Sequence, residues 1–397
     1  MKTEYSFDAV VVGAGPAGSI AACEIARAGH SVLLVEKHPV IGVPVCCAEG
    51  ITVDGLTKVV PLDRRWVCAD ISVITLHGPD GTAVTVTHPD AGFVLDRKLF
   101  DRDLAVRAAG AGATVWTDTE ATGLESDDGK TFTRVLLRRE GKQIIVGCRI
   151  VIGCDGIESL VGRWAGLDTT LAPENMDCAA QYVLGDLHGV ESHRMEFYLS
   201  VDRAPGGYLW VFPKGPSTAN VGLGYMPSLG HGRTAVQRLD AFVADRFGSP
   251  KVLAKSCGGI PVFRGRKLMI SKNVLLAGDA ARLLDSLSGA GIANALLSGM
   301  YAGRTAAEYL GENKPRLAVL ERYPDRFMKD KGRELHYLLY ARRIFTKMTD
   351  RDFDDVVGLL KSIYDGQTVR EVEAVSFIKS ILRARPRLVT LARHLLW

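Results

Sequence analysis

Asp8-Ala9-Val10-Val11-Val12-Gly13-Ala14-Gly15-Pro16-Ala17-Gly18 is the stretch that decides the fold. An apolar run enters a turn with three glycines. A helix-compatible segment follows at 19–28, a second apolar run at 31–35, and then Glu36. The order is strand, glycine turn, helix, strand, acid. Gly13 permits the tight turn, Gly15 lets the backbone approach a pyrophosphate, and Gly18 lets helix and strand pack closely. Pro16 and Ala17 open the helix, whose N-terminus offers N–H groups and a positive dipole end to phosphates. Glu36, 23 residues past Gly13, is placed to accept hydrogen bonds from ribose hydroxyls. A Rossmann-type dinucleotide site is expected here. The plainer alternative is a glycine-rich turn in an ordinary βαβ unit.

A second turn of this kind lies far downstream. Asn273-Val274-Leu275-Leu276-Ala277 is a short apolar strand that leads into Gly278-Asp279, and a glycine loop follows at Ser288-Gly289-Ala290-Gly291-Ile292 before a helical stretch. A two-domain NAD dehydrogenase would have finished with its nucleotide in the first half of the chain. A third strand, Arg149-Ile150-Val151-Ile152-Gly153-Cys154, ends in Asp155-Gly156, and Phe93-Val94-Leu95-Asp96-Arg97 lies ahead of it. Taken singly, an Asp-Gly at a strand end marks a turn. Together and in this order, the segments resemble the flavoprotein group that includes aromatic hydroxylases and geranylgeranyl reductases. The resemblance implies FAD as cofactor, with Asp279 on its ribityl chain. It places the backbone of Gly291 and Ile292 at the pyrimidine end of the flavin, where negative charge collects on reduction. It also puts Asp155 near the cofactor and Arg97 in contact with it.

Composition narrows the class. The 397 residues suffice for two or three compact units, and 47% hydrophobic with 24% charged residues is ordinary for a water-soluble chain. No apolar run approaches the roughly 20 residues that span a bilayer. The first strand begins almost at once, so no signal peptide is expected and the cytoplasm is the expected location. Eight cysteines, Cys23, Cys46, Cys47, Cys68, Cys148, Cys154, Cys178 and Cys257, lack metal-ligand spacing. They are expected to be reduced, with no metal. A net charge of +4 is too small to argue for nucleic acid, but residues 315–397 carry 17 Lys and Arg against 11 Asp and Glu. The last stretch, 376–397, has five basic residues and no acidic one, interleaved with apolar residues and interrupted by Pro386. Such a helix can lie peripherally on an anionic membrane surface or pack on its own domain with a solvated basic face.

The pattern along the chain is α/β with an α+β insert. A Rossmann-type FAD-binding domain is assembled from discontinuous segments, 1–44, 96–168 and 266–314. An antiparallel-sheet substrate domain takes 45–95 and 169–265, and a C-terminal helical unit takes 315–397. Within these, 96–111 reads as a helix, and 133–138 with 144–148 as a hairpin. The region 170–265 reads as strand-rich.

Pro205-Gly206-Gly207-Tyr208-Leu209-Trp210-Val211-Phe212-Pro213 is the other stretch with chemical content. Alternate residues of a strand share a face, so Tyr208, Trp210 and Phe212 form an aromatic row. Such a row faces a core or walls a site for a long apolar substrate. Its Pro-x-x-Tyr-x-Trp-x-Phe-Pro spacing is similar to a signature of geranylgeranyl reductases, where it contributes to the lipid-chain site. Gly42-Val43-Pro44-Val45-Cys46-Cys47-Ala48-Glu49-Gly50 resembles the Cys-Gly-Glu-Gly-like loop that archaeal members carry near the flavin. Cys47 aligns with its cysteine, and Ala48 stands where glycine is usual.

The resemblance therefore implies an FAD-dependent reductase of isoprenoid double bonds in archaeal membrane lipid precursors. Cys47 would transfer a proton or position the alkene. Its alternative is a buried structural cysteine. Glu49 reads as an acid that orients the loop, relays a proton or sits at the surface. His38 and His88 have no partner visible in sequence. Rival readings are an FAD monooxygenase of the aromatic hydroxylase type, a reductase of free geranylgeranyl diphosphate or a chlorophyll precursor, and a flavoprotein that only carries electrons. No second GxGxxG marks a nicotinamide domain, which leaves the electron donor open among NAD(P)H, a ferredoxin and a reduced deazaflavin.

Overall fold

The computed structural model describes residues 4–369. The glycine turn sits in a six-stranded sheet. Its order is Ile270–Ser271, Val274–Leu276, Ile150–Gly153, Ala9–Val12, Val32–Val35, Thr114–Trp116. All neighbours are parallel except Ile270–Ser271, which runs against Val274–Leu276. The four inner strands are unbroken apolar runs buried along their whole length, as a parallel sheet covered on both faces requires. Three of them, adjacent in the sheet, end in the motifs singled out above: Gly13, Asp155 and Gly278-Asp279. Ligands of such sheets bind beyond the carboxyl ends, where the strand order reverses.

Helices Pro16–Arg27 and Ile292–Gly311 cross at very short range. A Cβ on Gly299 would collide with the Ala17 carbonyl, and one on Gly303 would come within 2.6 Å of Ala21 O. Glycine and alanine at the crossing let the backbones touch, which ties the two nucleotide-facing turns into one body.

The second layer is an eight-stranded sheet in the order Lys251–Pro261, Met176–Gly185, Thr218–Tyr225, Tyr208–Gly215, Arg194–Tyr198, Val67–His77, Ala83–Leu95, Gly50–Ile51. It is antiparallel except between Arg194–Tyr198 and Val67–His77. The helix Ala235–Phe247 packs Leu239, Phe242 and Val243 on Leu209, Val211, Val221 and Leu223 of one face. Period-2 alternation then puts Trp210 and Phe212 on the other face, with Ile71, Val94 and Met195. The helix lies inside the region that reads as strand-rich. Its start is marked by a capping box, Thr234 with Gln237.

Strands Arg134–Arg139 and Lys142–Gly147 pair across Glu140-Gly141, both with positive φ, the geometry of a tight hairpin turn. They form a four-stranded sheet with Thr119–Glu125 and Tyr5–Ser6. Helices Arg333–Phe345 and Asp350–Tyr364 follow the nucleotide sheet. Phe353, Val356, Val357 and Leu360 pack on Val84 of the large sheet and on Leu199, just past the strand Arg194–Tyr198. Arg342 is buried and forms a two-pronged ion pair with Asp177, at 2.6 and 2.7 Å. Among the described residues no helix is long and apolar enough to cross a membrane. The basic stretch 376–397 lies outside the described residues.

Candidate functional site

The first glycine turn has the geometry its spacing predicts. Gly13 has φ +100°, and a Cβ there would strike the Cys154 carbonyl. A Cβ on Gly18 would collide with Gly13 O, so helix and turn are in backbone contact. A Cβ on Gly15 would meet nothing within 4 Å; open space lies before this residue. Gly15 caps the helix without a side-chain bond, Pro16 occupies its first turn, and no acid stands there to neutralise the dipole. Glu36 accepts from Ala14 N at 3.0 Å and, through its other oxygen, from His38 N at 3.0 Å and His38 Nδ1 at 2.7 Å. The carboxylate is thus held beside the turn, and His38 has the partner that sequence could not reveal.

The other two strand ends converge on the same place. Asp155 Oδ2 accepts from Val161 N at 2.9 Å, while Oδ1 is buried without a hydrogen-bond partner among the described residues. Burial raises the pKa of this carboxyl. Burial also raises that of Asp279, opposed by the Arg97 and Arg282 charges. Gly291 heads the helix Ile292–Gly311 with no side-chain cap, and a Cβ on it would lie 3.3 Å from Asp279 Oδ1. Arg282, unnoticed in the sequence, is fully buried and donates to Ile157 O at 2.6 Å and Thr169 O at 2.7 Å. It fastens the Gly-Asp turn to the Asp-Gly turn.

The cysteine loop closes the site from the sheet side. Cys47 O accepts from Gln181 Nε2 at 2.9 Å, and Gln181 Oε1 accepts from Trp210 Nε1 at 3.0 Å. One buried amide therefore joins the loop to the aromatic row. Cys47 Sγ accepts from Glu49 N at 3.2 Å. Glu49 is only 2% exposed, which overturns its reading as a surface acid. Its carboxylate accepts from Arg97 N at 2.9 Å and Asn220 Nδ2 at 2.6 Å and pairs with Lys214. Asn220 Nδ2 also reaches Ala48 O at 3.1 Å. Glu49 is therefore the anchor of the loop. Burial raises the Cys47 thiol pKa, with Arg97 opposing. Burial also works against the Arg97 charge, but the Asp101 carboxylate, at 2.7 Å, holds the guanidinium above its usual range.

Tyr208, Trp210 and Phe212 stand in line, with ring centroids 6.0 and 6.4 Å apart. Phe197 packs against Tyr208 at 5.6 Å and Phe212 at 5.3 Å. Trp210 and Phe212 are almost fully buried; Tyr208 is half-buried and donates to Ser288 O in the loop before Gly291. Cys47, Arg97, Asp155, Tyr208 and Asp279 share one property. They lie deep in the protein yet keep accessible surface, as residues lining an internal cleft do. Open space at Gly15, two uncapped helix N-termini and an unpartnered Asp155 oxygen fit a dinucleotide with an anionic pyrophosphate and a hydroxylated chain. The sequence brings out the glycines, the aspartates, the thiol and the aromatic row. It misses Gln181, Asn220 and Lys214, polar residues inside a β-sheet whose alternation with apolar neighbours is the one signal they leave.

A profile described as the geranylgeranyl reductase catalytic domain matches residues 175–260, and one described as FAD dependent oxidoreductase matches residues 8–204. Digeranylgeranylglycerophospholipid reductase 1 of Methanococcoides burtonii is 36% identical over 98% of this chain and 94% of its own length. The structure is similar to that of a geranylgeranyl bacteriochlorophyll reductase-like protein from Thermoplasma acidophilum. The TM-score is 0.91 at 31% identity, over 98% of this chain and 99% of the other. The flavin-dependent brominase Bmp2 is similar at a TM-score of 0.70 and 17% identity, over 96% of this chain and 99% of its own, a likeness of fold alone.

Proposed function

The chain belongs to the geranylgeranyl reductase family of FAD-dependent oxidoreductases, and on that premise we propose that it saturates isoprenoid double bonds of geranylgeranyl chains in archaeal membrane phospholipid precursors. The observation that carries this reading is Gln181, whose amide binds the Cys47 carbonyl and the Trp210 indole together. The cysteine loop and the aromatic row are thus tied to one amide, and Cys47 and Tyr208 keep accessible surface beside it.

FAD, when bound and reduced, supplies a hydride. Gly13, Gly15, Pro16, Ala17 and Gly18 would cradle its pyrophosphate, Glu36 its ribose, Asp279 its ribityl chain, and Asp155 would stand beside it. Ala48 and Arg97 would flank it from the loop and from the helix Arg97–Gly110. The N–H groups of Gly291 and Ile292 would stabilise negative charge gathered there on reduction.

An isolated trisubstituted alkene has no carbonyl to absorb charge. A proton must therefore reach one carbon as the hydride reaches the other. Cys47 holds that proton: burial keeps it on Sγ. Transfer leaves a thiolate beside the Arg97 charge, which is then reprotonated from solvent. Tyr208, Trp210 and Phe212 lay the isoprenoid chain along the cleft and exclude water, which supplies orientation. A redox partner restores the electrons.

The test is anaerobic. The protein is purified with FAD, reduced chemically and mixed with a digeranylgeranyl glycerophospholipid, and product masses are read. A gain of two hydrogens per bond supports the reading. A gain of oxygen that requires O2 would instead establish a monooxygenase, and an unchanged lipid an electron carrier.

A further inference from the structure

We infer that a cavity beside the helix Arg333–Phe345 is a phosphoester site that receives the charged headgroup of the isoprenoid lipid; the inference rests on the reductase reading and names the substrate's second anchor. The cavity holds about 350 Å³. Phe263 and Leu339 give it apolar walls, and His336, bound through Nδ1 to Gly332 O at 2.6 Å, closes one side. Arg264, from the segment after the large sheet, and Arg343, from the helix, both line it and are both exposed.

Among the described residues neither arginine forms an ion pair, although their neighbours do. Arg266 pairs with Glu321 and Asp325, and Arg342 with Asp177. Glu174 also lines the cavity and Asp168 lies within electrostatic reach of Arg264, but neither carboxylate is paired with either guanidinium. Two guanidinium groups that no described carboxylate pairs thus line one cavity, and an anion bound there would be shared by both. Their planar forks match phosphate oxygens, which accept paired N–H bonds.

The cavity adjoins the reaction cleft. Arg342, a third lining residue, donates to Ser286 O at 3.2 Å, and Ser288 of the same loop accepts the Tyr208 hydroxyl. Thr346 and Met226 line the cavity and pack within 3.5 Å of the position a Cβ on Gly206 would take, two residues before Tyr208. One end of a chain laid along Tyr208, Trp210 and Phe212 would therefore lie near this opening, and the two cations select the charged end. A phosphate is the group on such a lipid that two cations would recognise.

Wild type and the double variant R264Q/R343Q are compared as FAD-loaded proteins, in two ways. Calorimetry measures binding of glycerol 1-phosphate and of inorganic phosphate. Steady-state reduction is followed on a digeranylgeranyl glycerophospholipid and on geranylgeraniol, which has the chain and no phosphate. The variant is expected to bind glycerol phosphate about tenfold more weakly. Its KM for the phospholipid rises by a similar factor at nearly constant kcat, and geranylgeraniol turnover is unchanged. R264K/R343K recovers part of the affinity.

Equal binding of glycerol phosphate by wild type and variant, or none by either, overturns the site. So does an equal loss of turnover on both lipids, which marks a structural role. Inorganic phosphate binding as tightly as glycerol phosphate overturns the headgroup assignment in favour of free phosphate. The calorimetric arm needs no catalysis. If it behaves as expected while no lipid is reduced, the site stands and the reductase reading falls.

Discussion

At the residue scale, the proposed proton transfer turns on Cys47. Cys47→Ala and Cys47→Ser should both retain the flavin spectrum and slow alkene reduction at least about tenfold, since losing a positioned proton donor typically costs more than that. Near-normal turnover in both would remove the thiol from the mechanism. The same side chain sets a pH dependence. Its pKa is raised above the ordinary 9.0, chiefly by burial. The proton-bearing form therefore persists as pH rises through 9.0, and the alkaline fall in rate should lie above that value. A pH–rate profile with a limb below it counts against this role. Glycines separate fold from ligand in the same way. Gly18→Ala puts a methyl into Gly13 O and should cost about 3 kcal/mol or more in thermal unfolding. Gly15→Ala meets open space, so FAD-free stability should change by less than about 1 kcal/mol, while FAD affinity falls. Equal damage by both in FAD-free protein would contradict a pyrophosphate cradle at Gly15.

At the scale of elements, the two nucleotide turns depend on how closely helices Pro16–Arg27 and Ile292–Gly311 approach. Gly299→Leu inserts a side chain where Ala17 backbone already sits. Overpacking of this kind costs about 1–3 kcal/mol or more, and it should reduce FAD occupancy along with Tm. An unchanged Tm would show that the crossing tolerates separation. The βαβ unit, the Asp-Gly strands and the hairpin were legible because each is local: period, turn residues and caps lie within one short segment. The anchoring of the cysteine loop was not. Gln181 meets Cys47 across 134 residues, and Asn220 meets Glu49 across 171. Nothing in the spacing of Glu49 distinguishes a surface acid from one held by an amide, an ammonium and a helix N-terminus.

Across the whole molecule, the helix Arg333–Phe345 is pinned to the large sheet by the buried pair Arg342–Asp177. Arg342→Met leaves Asp177 buried and unpaired. The expected loss is about 3–5 kcal/mol by denaturant unfolding, with part regained in Arg342→Met/Asp177→Leu. A loss below about 1 kcal/mol, the value of an exposed pair, would mean that water reaches Asp177. The sequence by itself determined the nucleotide-binding half, the aromatic row and the family, because glycine turns, apolar periods and short motifs act through bonded neighbours. Only the tertiary structure decided that one amide, Gln181, ties the cysteine loop to the aromatic row, that Glu49 is buried, and that no carboxylate among the described residues pairs with the two arginines beside the opening. Those facts depend on which distant strands become neighbours, and burial and Coulomb energy are properties of that arrangement rather than of any segment within it.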